Sequence, residues 1–375
     1  MGSPPVTLPA PPVALRRPKR LELHGDVRLD DYFWLRERSD PEVVSYLEAE
    51  NRYTDAVMSP AADLIEELYR EMLGHIRETD LSVPTRQGEF FYYARTEEGK
   101  QYPIHCRRRG SPEAAEEVVL DVNALAEGKL FLTIGDLAVS DDGALLAYST
   151  DESGDRRYTL HVKDLRTGRH LPDAIEDTAS DSVVWAADGR TLFYARVDAA
   201  KRPWRFYRHT LGEASDVLLY EEGDERFDLG AYRSRSRRFV FLVAASHTSS
   251  EVRYLEAGEP ESDLRLIAAR EEEHEYEVDH RGDFFWIRTN GRLASGPPAR
   301  NFRVAVAPVA DPRRDGWQEV VPERPGVMIE GIDCFERHVV RYEREGALPR
   351  IVVTEPEAGA SHAVAFDEEV YAIRP

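Results

Sequence analysis

The chain has 375 residues, 42% of them hydrophobic and 10% aromatic, with a formal net charge of −21. That apolar content excludes a disordered chain, and the negative field disfavours nucleic-acid backbones and anionic lipid, so neither nucleic acid nor a membrane is expected as a partner. Prolines interrupt residues 1–20 and no apolar run is long enough to span a bilayer, so the expected setting is cytoplasmic.

Residues 1–20 read as an extended, proline-rich lead-in, and residues 21–80 as a helical segment. Asp40 followed by Pro41 is an N-cap and first-turn pair, and Val43, Val44, Leu47 and Val57 recur at helical spacing. Ser59 and Pro60 predict a second helix whose Leu64, Leu68, Met72 and Leu73 form a core-facing stripe.

After Pro84 the pattern becomes all-β. A strand, a short polar turn and a strongly apolar strand recur at Gly88 (EFFYYAR), Gly143 (ALLAYST), Gly189 (TLFYARV), Ser236 (RFVFLVA), Gly282 (DFFWIRT) and Arg337 (HVVRYER). A third strand follows each, such as YTLHVKDLRTG or NFRVAVAPVADP, and a fourth apolar stretch often follows that. A repeat of about 45–50 residues with four strands in each unit is the mark of a β-propeller blade. A four-stranded sheet with two apolar faces cannot cover itself, and stacking around an axis buries both. The fold class is therefore mainly β: a seven-bladed-type propeller over residues 85–375, with about six blades present, a seventh incomplete and an α-helical segment in front. Beyond Phe366 the run DEEVYAIRP has the length of one strand, not of a blade.

Side chains capable of chemistry are sparse. The nearest approach to a Gly-x-Ser-x-Gly nucleophile elbow is Gly359-Ala360-Ser361-His362-Ala363; it lacks the final glycine and falls on a blade loop, so Ser361 is read as a turn residue. His274 and His280 lie too far apart along a strand to share a zinc ion, and no phosphate loop or dinucleotide fingerprint is present, so neither metal nor cofactor is expected. Acidic pairs such as Glu97 with Glu98 or Asp141 with Asp142 sit in turns and are read as solvated. Cys106 and Cys334, in strand-like runs, are read as buried free thiols. Arg156 and Arg157, in the loop before the third strand of the second blade, are the candidate rim or interdomain residues.

Several segments resemble the oligopeptidase B branch of the prolyl oligopeptidase serine peptidase family: HGDVRLDDYFWLRERSDPEVVSYLEAEN (24–51), EEGKQYPIHCRR (97–108), YTLHVKDLRTG (158–168), YEEGDERF (220–227), SHTSSEVRYL (246–255) and EHEYEVDHRGDFFWIRTN (273–290). The resemblance implies a propeller paired with a C-terminal α/β-hydrolase domain that carries a Ser, Asp, His triad, cleavage of short peptides after Arg or Lys, and a propeller that filters what reaches the site. None of the triad has a position in this sequence, so the chain alone is expected to be inactive, with the hydrolase domain as its partner. The alternative is a free-standing propeller used as a binding module.

Overall fold

In the computed structural model, residues 9–294 and 296–373 are described. The chain divides into two compact units, residues 1–80 and 81–375.

In the first unit Lys19–Leu23 pairs with Asp26–Asp30 as an antiparallel hairpin. Its two-residue turn is His24 and Gly25, both in the left-handed region (φ 52° and 81°), the conformation that a hairpin turn of this length requires. The Asp40 carboxylate then caps helix α1 (Pro41–Met58), accepting from the Glu42 amide at 2.8 Å. A single 3-10 turn at Ser59–Ala61 leads into helix α2 (Ala62–Gly74). The predicted core-facing stripe is corrected here: Leu64, Leu68 and Met72 are exposed and only Leu73 is half-buried. On α1, Val43 is buried whereas Val44 and Leu47 are exposed. The 3.6-residue period identified the helices, but not how much of each face is covered.

The second unit consists of six successive antiparallel four-strand meanders. Blades 1, 4, 5 and 6 (residues 85–121, 228–268, 276–321 and 327–363) are separate four-stranded sheets. Blades 2 and 3 (133–178 and 184–221) join into one eight-stranded sheet through a single bridge between Thr178 and Arg196. A short helix, α3 (Val122–Ala126), capped by Asp121, connects blades 1 and 2. The described residues after Ala363 add no strand.

The strand Phe239–Ala245 of blade 4 explains the architecture. Strand side chains alternate between faces, and here both faces are apolar. Val240, Leu242 and Ala244 pack with Phe193 and Phe206 of blade 3. Phe239 and Phe241 pack with Tyr254 of the same blade and Phe285 of blade 5. Phe239, Phe241 and Phe285 are wholly buried, their rings in edge-on contact at 5.0 and 5.7 Å between centroids. Burying each such ring contributes about 2–3 kcal/mol. Similar clusters join blades 1 and 2, 2 and 3, and 5 and 6. Among the described residues no buried apolar cluster joins blade 6 to blade 1; the far face of blade 6 carries Val340, Tyr342, Ile351 and Val353, all half-buried.

Candidate functional site

The innermost strand of each blade borders a central channel. Two cavities occupy it. One, of about 710 Å³, is lined by residues 85–88 of blade 1, Tyr232 to Arg235 of blade 4, Glu277 and Asp279 of blade 5, and Asp333 of blade 6. The other, of about 440 Å³, lies toward blades 2 and 3 and is lined by Asp136, Asp181, Trp185 and their neighbours. Gln87, Tyr232, Arg233 and Arg237 border both.

Buried carboxylates fix the inner strands. Asp279 of blade 5 accepts from the Arg235 amide of blade 4 at 2.9 Å and the Cys334 amide of blade 6 at 2.8 Å, so three blades are tied by one side chain. Burial holds its pKa above the usual carboxylate range, while the amides oppose the shift. Asp136 of blade 2 does the same for blade 3, accepting from the amides of Ser182 at 3.0 Å and Val183 at 3.2 Å, and burial likewise raises its pKa. The Tyr232 hydroxyl crosses to the Val278 carbonyl at 2.6 Å.

The turns between first and second strands reach the channel end. Four use a left-handed glycine: Gly88, Gly143, Gly189 and Gly282. In blade 4 that place is held by Arg237 (φ 61°), one residue later than the Ser236 at which the repeat was read. A side chain in this conformation costs about 1–2 kcal/mol that glycine does not. Arg235 lies in the same turn, and Arg233 ends the strand before it, its guanidinium donating to the Trp185 carbonyl of blade 3. Arg237 Nε donates to Asp141 Oδ1 at 3.0 Å, and Arg233 Nη2 lies 3.3 Å from Asp141 Oδ2. Arg235 Nη2 lies 2.8 Å from Asp333 Oδ2, which also accepts from the Tyr342 hydroxyl at 2.8 Å. Burial lowers the Arg233 pKa, and the Asp141 carboxylate opposes that shift. Asp141 was read as one of a solvated pair. Only Asp142 is confined to its own turn, accepting from Ser140 Oγ and the Ala144 amide.

Arg156 and Arg157 lie away from these cavities, in the loop between the second and third strands of blade 2. Arg157 is an interblade tie: it pairs with Asp177 at 2.8 Å and donates to the Asp198 carbonyl of blade 3 at 3.1 Å. Arg156 is exposed; its amide donates to Asp151 at 2.7 Å in a left-handed conformation (φ 55°).

Ser361 sits on the exposed outer strand Ala360–Ala363, its hydroxyl 3.1 Å from Thr354 Oγ1. His274 is buried against Tyr276 and Trp317 with Nε2 2.9 Å from Thr289 Oγ1, and burial pulls its pKa down to about 4. His280 instead pairs with Ser236 Oγ at 2.8 Å. Among the described residues no group of three His, Cys, Asp or Glu side chains gathers as a metal site would require, and no helix is long and apolar enough to cross a membrane. Cys106 and Cys334 are buried and unpaired, and burial raises the pKa of both, Cys106 to about 11.

Interlocked four-strand blades around a lined channel define a β-propeller domain. The profile of the prolyl oligopeptidase N-terminal beta-propeller domain matches residues 11–374, and the chain belongs to that family. It is 40% identical to the dipeptidyl aminopeptidase BI of Pseudoxanthomonas mexicana over 97% of this chain and 52% of that protein. It is 35% identical to protease 2 of Moraxella lacunata over 96% of this chain and 52% of the other. Oligopeptidase B of Leishmania major superposes with a TM-score of 0.87 at 28% identity, covering 96% of this chain and 54% of that one. Oligopeptidase B of Trypanosoma brucei, with covalently bound antipain, gives 0.85 at 30% identity, covering 96% and 54%. The chain thus spans about half the length of the relatives it matches.

Proposed function

We propose that this chain is the substrate-filtering, non-catalytic half of an oligopeptidase B-like serine endopeptidase that cleaves short peptides after Arg or Lys. The observation that carries this reading is the family match over residues 11–374, in a chain whose channel is lined by several blades. The filter admits extended peptides and excludes folded proteins; its contribution to the reaction is access and water control rather than bond making. The partner is a C-terminal α/β-hydrolase domain that supplies the Ser, Asp, His triad. The exposed Arg156 is its candidate contact on the rim, held in position by the Asp151 carboxylate beneath it.

Reconstitution tests this. The purified chain is mixed with the hydrolase half of the Pseudoxanthomonas relative, and cleavage of a short Arg-containing peptide is compared with cleavage of a folded protein. The expected result is that adding the chain leaves peptide cleavage intact or raises it and suppresses cleavage of the folded protein. Failure of the halves to associate, or equal cleavage of both substrates, counts against the proposal. Arg156→Glu should weaken association of the halves; unchanged association removes Arg156 from the interface.

A further inference from the structure

Outside the channel, a cleft of about 550 Å³ separates the fourth strand of blade 2, residues 170–178, from the second and third strands of blade 3 and the turn that follows them. None of its lining residues borders either channel cavity. Within it, His209 of blade 3 is sandwiched between two carboxylates. Nδ1 lies 2.7 Å from Asp216 Oδ1, and Nε2 lies 3.0 Å from Asp173 Oδ1 of blade 2. Asp216 is saturated, because its Oδ2 also accepts from the Tyr194 hydroxyl at 2.5 Å and Arg196 Nη2 at 3.2 Å. Asp173 is not saturated. Its Oδ1 also accepts from the Gly212 amide at 2.6 Å, but among the described residues no donor reaches Oδ2, although the side chain is only 5% exposed.

We propose that this cleft is a recognition site for a basic side chain of a peptide, with Asp173 as its buried acceptor and Glu176 and Glu213 on its rim. Three features point to such a ligand. The first is the open acceptor. Asp173 lines the cleft, and with Oδ1 held by His209 and the Gly212 amide, Oδ2 is the oxygen left for a donor from outside. A buried acceptor without a donor is unfavourable, and a guanidinium or ammonium N–H relieves it. The second is charge. Of the other carboxylates in the cleft, Asp177 pairs with Arg157 and Asp216 with Arg196, whereas Glu176 and Glu213 have no ion pair among the described residues. The cleft therefore keeps negative charge that a cation neutralises. The third is the apolar surface of Pro172, Ala174 and Ala214 in the same cleft. An aliphatic stem lies on such surface while its charged head reaches the carboxylates. Because Asp173 is already fixed by two donors, binding needs little reorganisation. The site deepens the proposed function by giving basic peptides a contact outside the channel, and rests on that reading only for the source of its ligand.

The test uses the 375-residue chain alone, so its failure is distinguishable from failure of the filter reading, which is tested with the catalytic half. An acetylated, amidated tripeptide with a central arginine is titrated into the isotope-labelled chain and followed by amide NMR. The same peptide with citrulline, which keeps the shape and loses the charge, is the control. The Gly212 and Glu213 amides report on the cleft, and the Arg235 and Cys334 amides on the channel. The expected result is a saturable shift of Gly212 and Glu213 with the arginine peptide, and about tenfold weaker binding of the citrulline peptide. Glu176 and Glu213 are exposed, so the double variant Glu176→Gln, Glu213→Gln keeps the fold; it should weaken binding about fivefold, the factor for two exposed ion pairs. Asp173→Asn, which keeps an acceptor for His209 and Gly212, should remove the saturable shift; if it does not fold, the double variant decides. Absence of a shift at Gly212 and Glu213, equal binding of arginine and citrulline, or binding unaltered by the substitutions overturns the site. Shifts confined to Arg235 and Cys334 also overturn it, because the cation then binds in the channel.

Discussion

Blades 4 and 6 have the same four-strand meander but opposite surroundings. The second strand of blade 4 buries Phe239, Val240, Phe241 and Leu242 at 0–1% exposure, with a neighbouring blade on each side. The second strand of blade 6 buries Val339 and Arg341 toward blade 5, while Val340 and Tyr342 on the other face stay half-buried. Blade 4 also holds the polar centre through Arg233, Arg235 and Arg237. The difference teaches that a blade's stability is set by its neighbours rather than by its own strands, as expected where each unit contacts chiefly the units beside it.

The largest effects should follow from breaking blade 4. Phe241→Ala should cost about 3–5 kcal/mol, whereas Val353→Ala on the half-covered face of blade 6 should cost about 1 kcal/mol. Urea unfolding of both variants checks the contrast, and equal losses would contradict it. Next in size is Asp279→Ala, which leaves the buried amides of Arg235 and Cys334 without an acceptor. It should cost about 2–4 kcal/mol and speed hydrogen exchange at both amides.

His274 sharpens the comparison through pH. Burial keeps its folded-state pKa near 4, below the ordinary value of about 6.5. The unfolded chain therefore takes up the proton first as the solution is acidified. The stability from a neutral buried His274 is complete above about pH 6.5 and is lost as pH falls toward 4. The melting temperature should drop over that range, and His274→Phe should flatten the slope; an unchanged slope would assign the dependence to other groups. The smallest expected effect is at the thiols. Cys106 and Cys334 are buried with raised pKa values, so neither should react with a thiol reagent at pH 8 until urea unfolds the blades.

Much of the fold was legible because its determinants are local. Polar turns, four of them with left-handed glycines, and the apolar second strands mark each repeat, and a blade's two apolar faces demand neighbours. The hairpin at residues 19–30 was missed because its strands, KRLEL and DVRLD, alternate weakly and lie almost wholly exposed. The stripe on α2 was misjudged because periodicity reports a face, not what covers it. At the channel, the run YRSRSRRF around Arg237 was the available signal: four arginines in and beside a turn where four other blades place glycine. What the signal lacked was a partner. Asp141 and Arg237 are 96 residues apart in the chain, and only the closure of successive blades around an axis brings them together. The Arg156 and Arg157 pair was singled out from charge alone, and of the two only the Arg157 side chain bridges two blades.

The central claim is that this chain filters and does not cut. Incubating the purified 375-residue chain with a fluorogenic Arg-containing peptide, with and without a serine-directed inhibitor, tests it most directly. No cleavage above the buffer rate is the predicted result; robust cleavage abolished by the inhibitor would contradict the account.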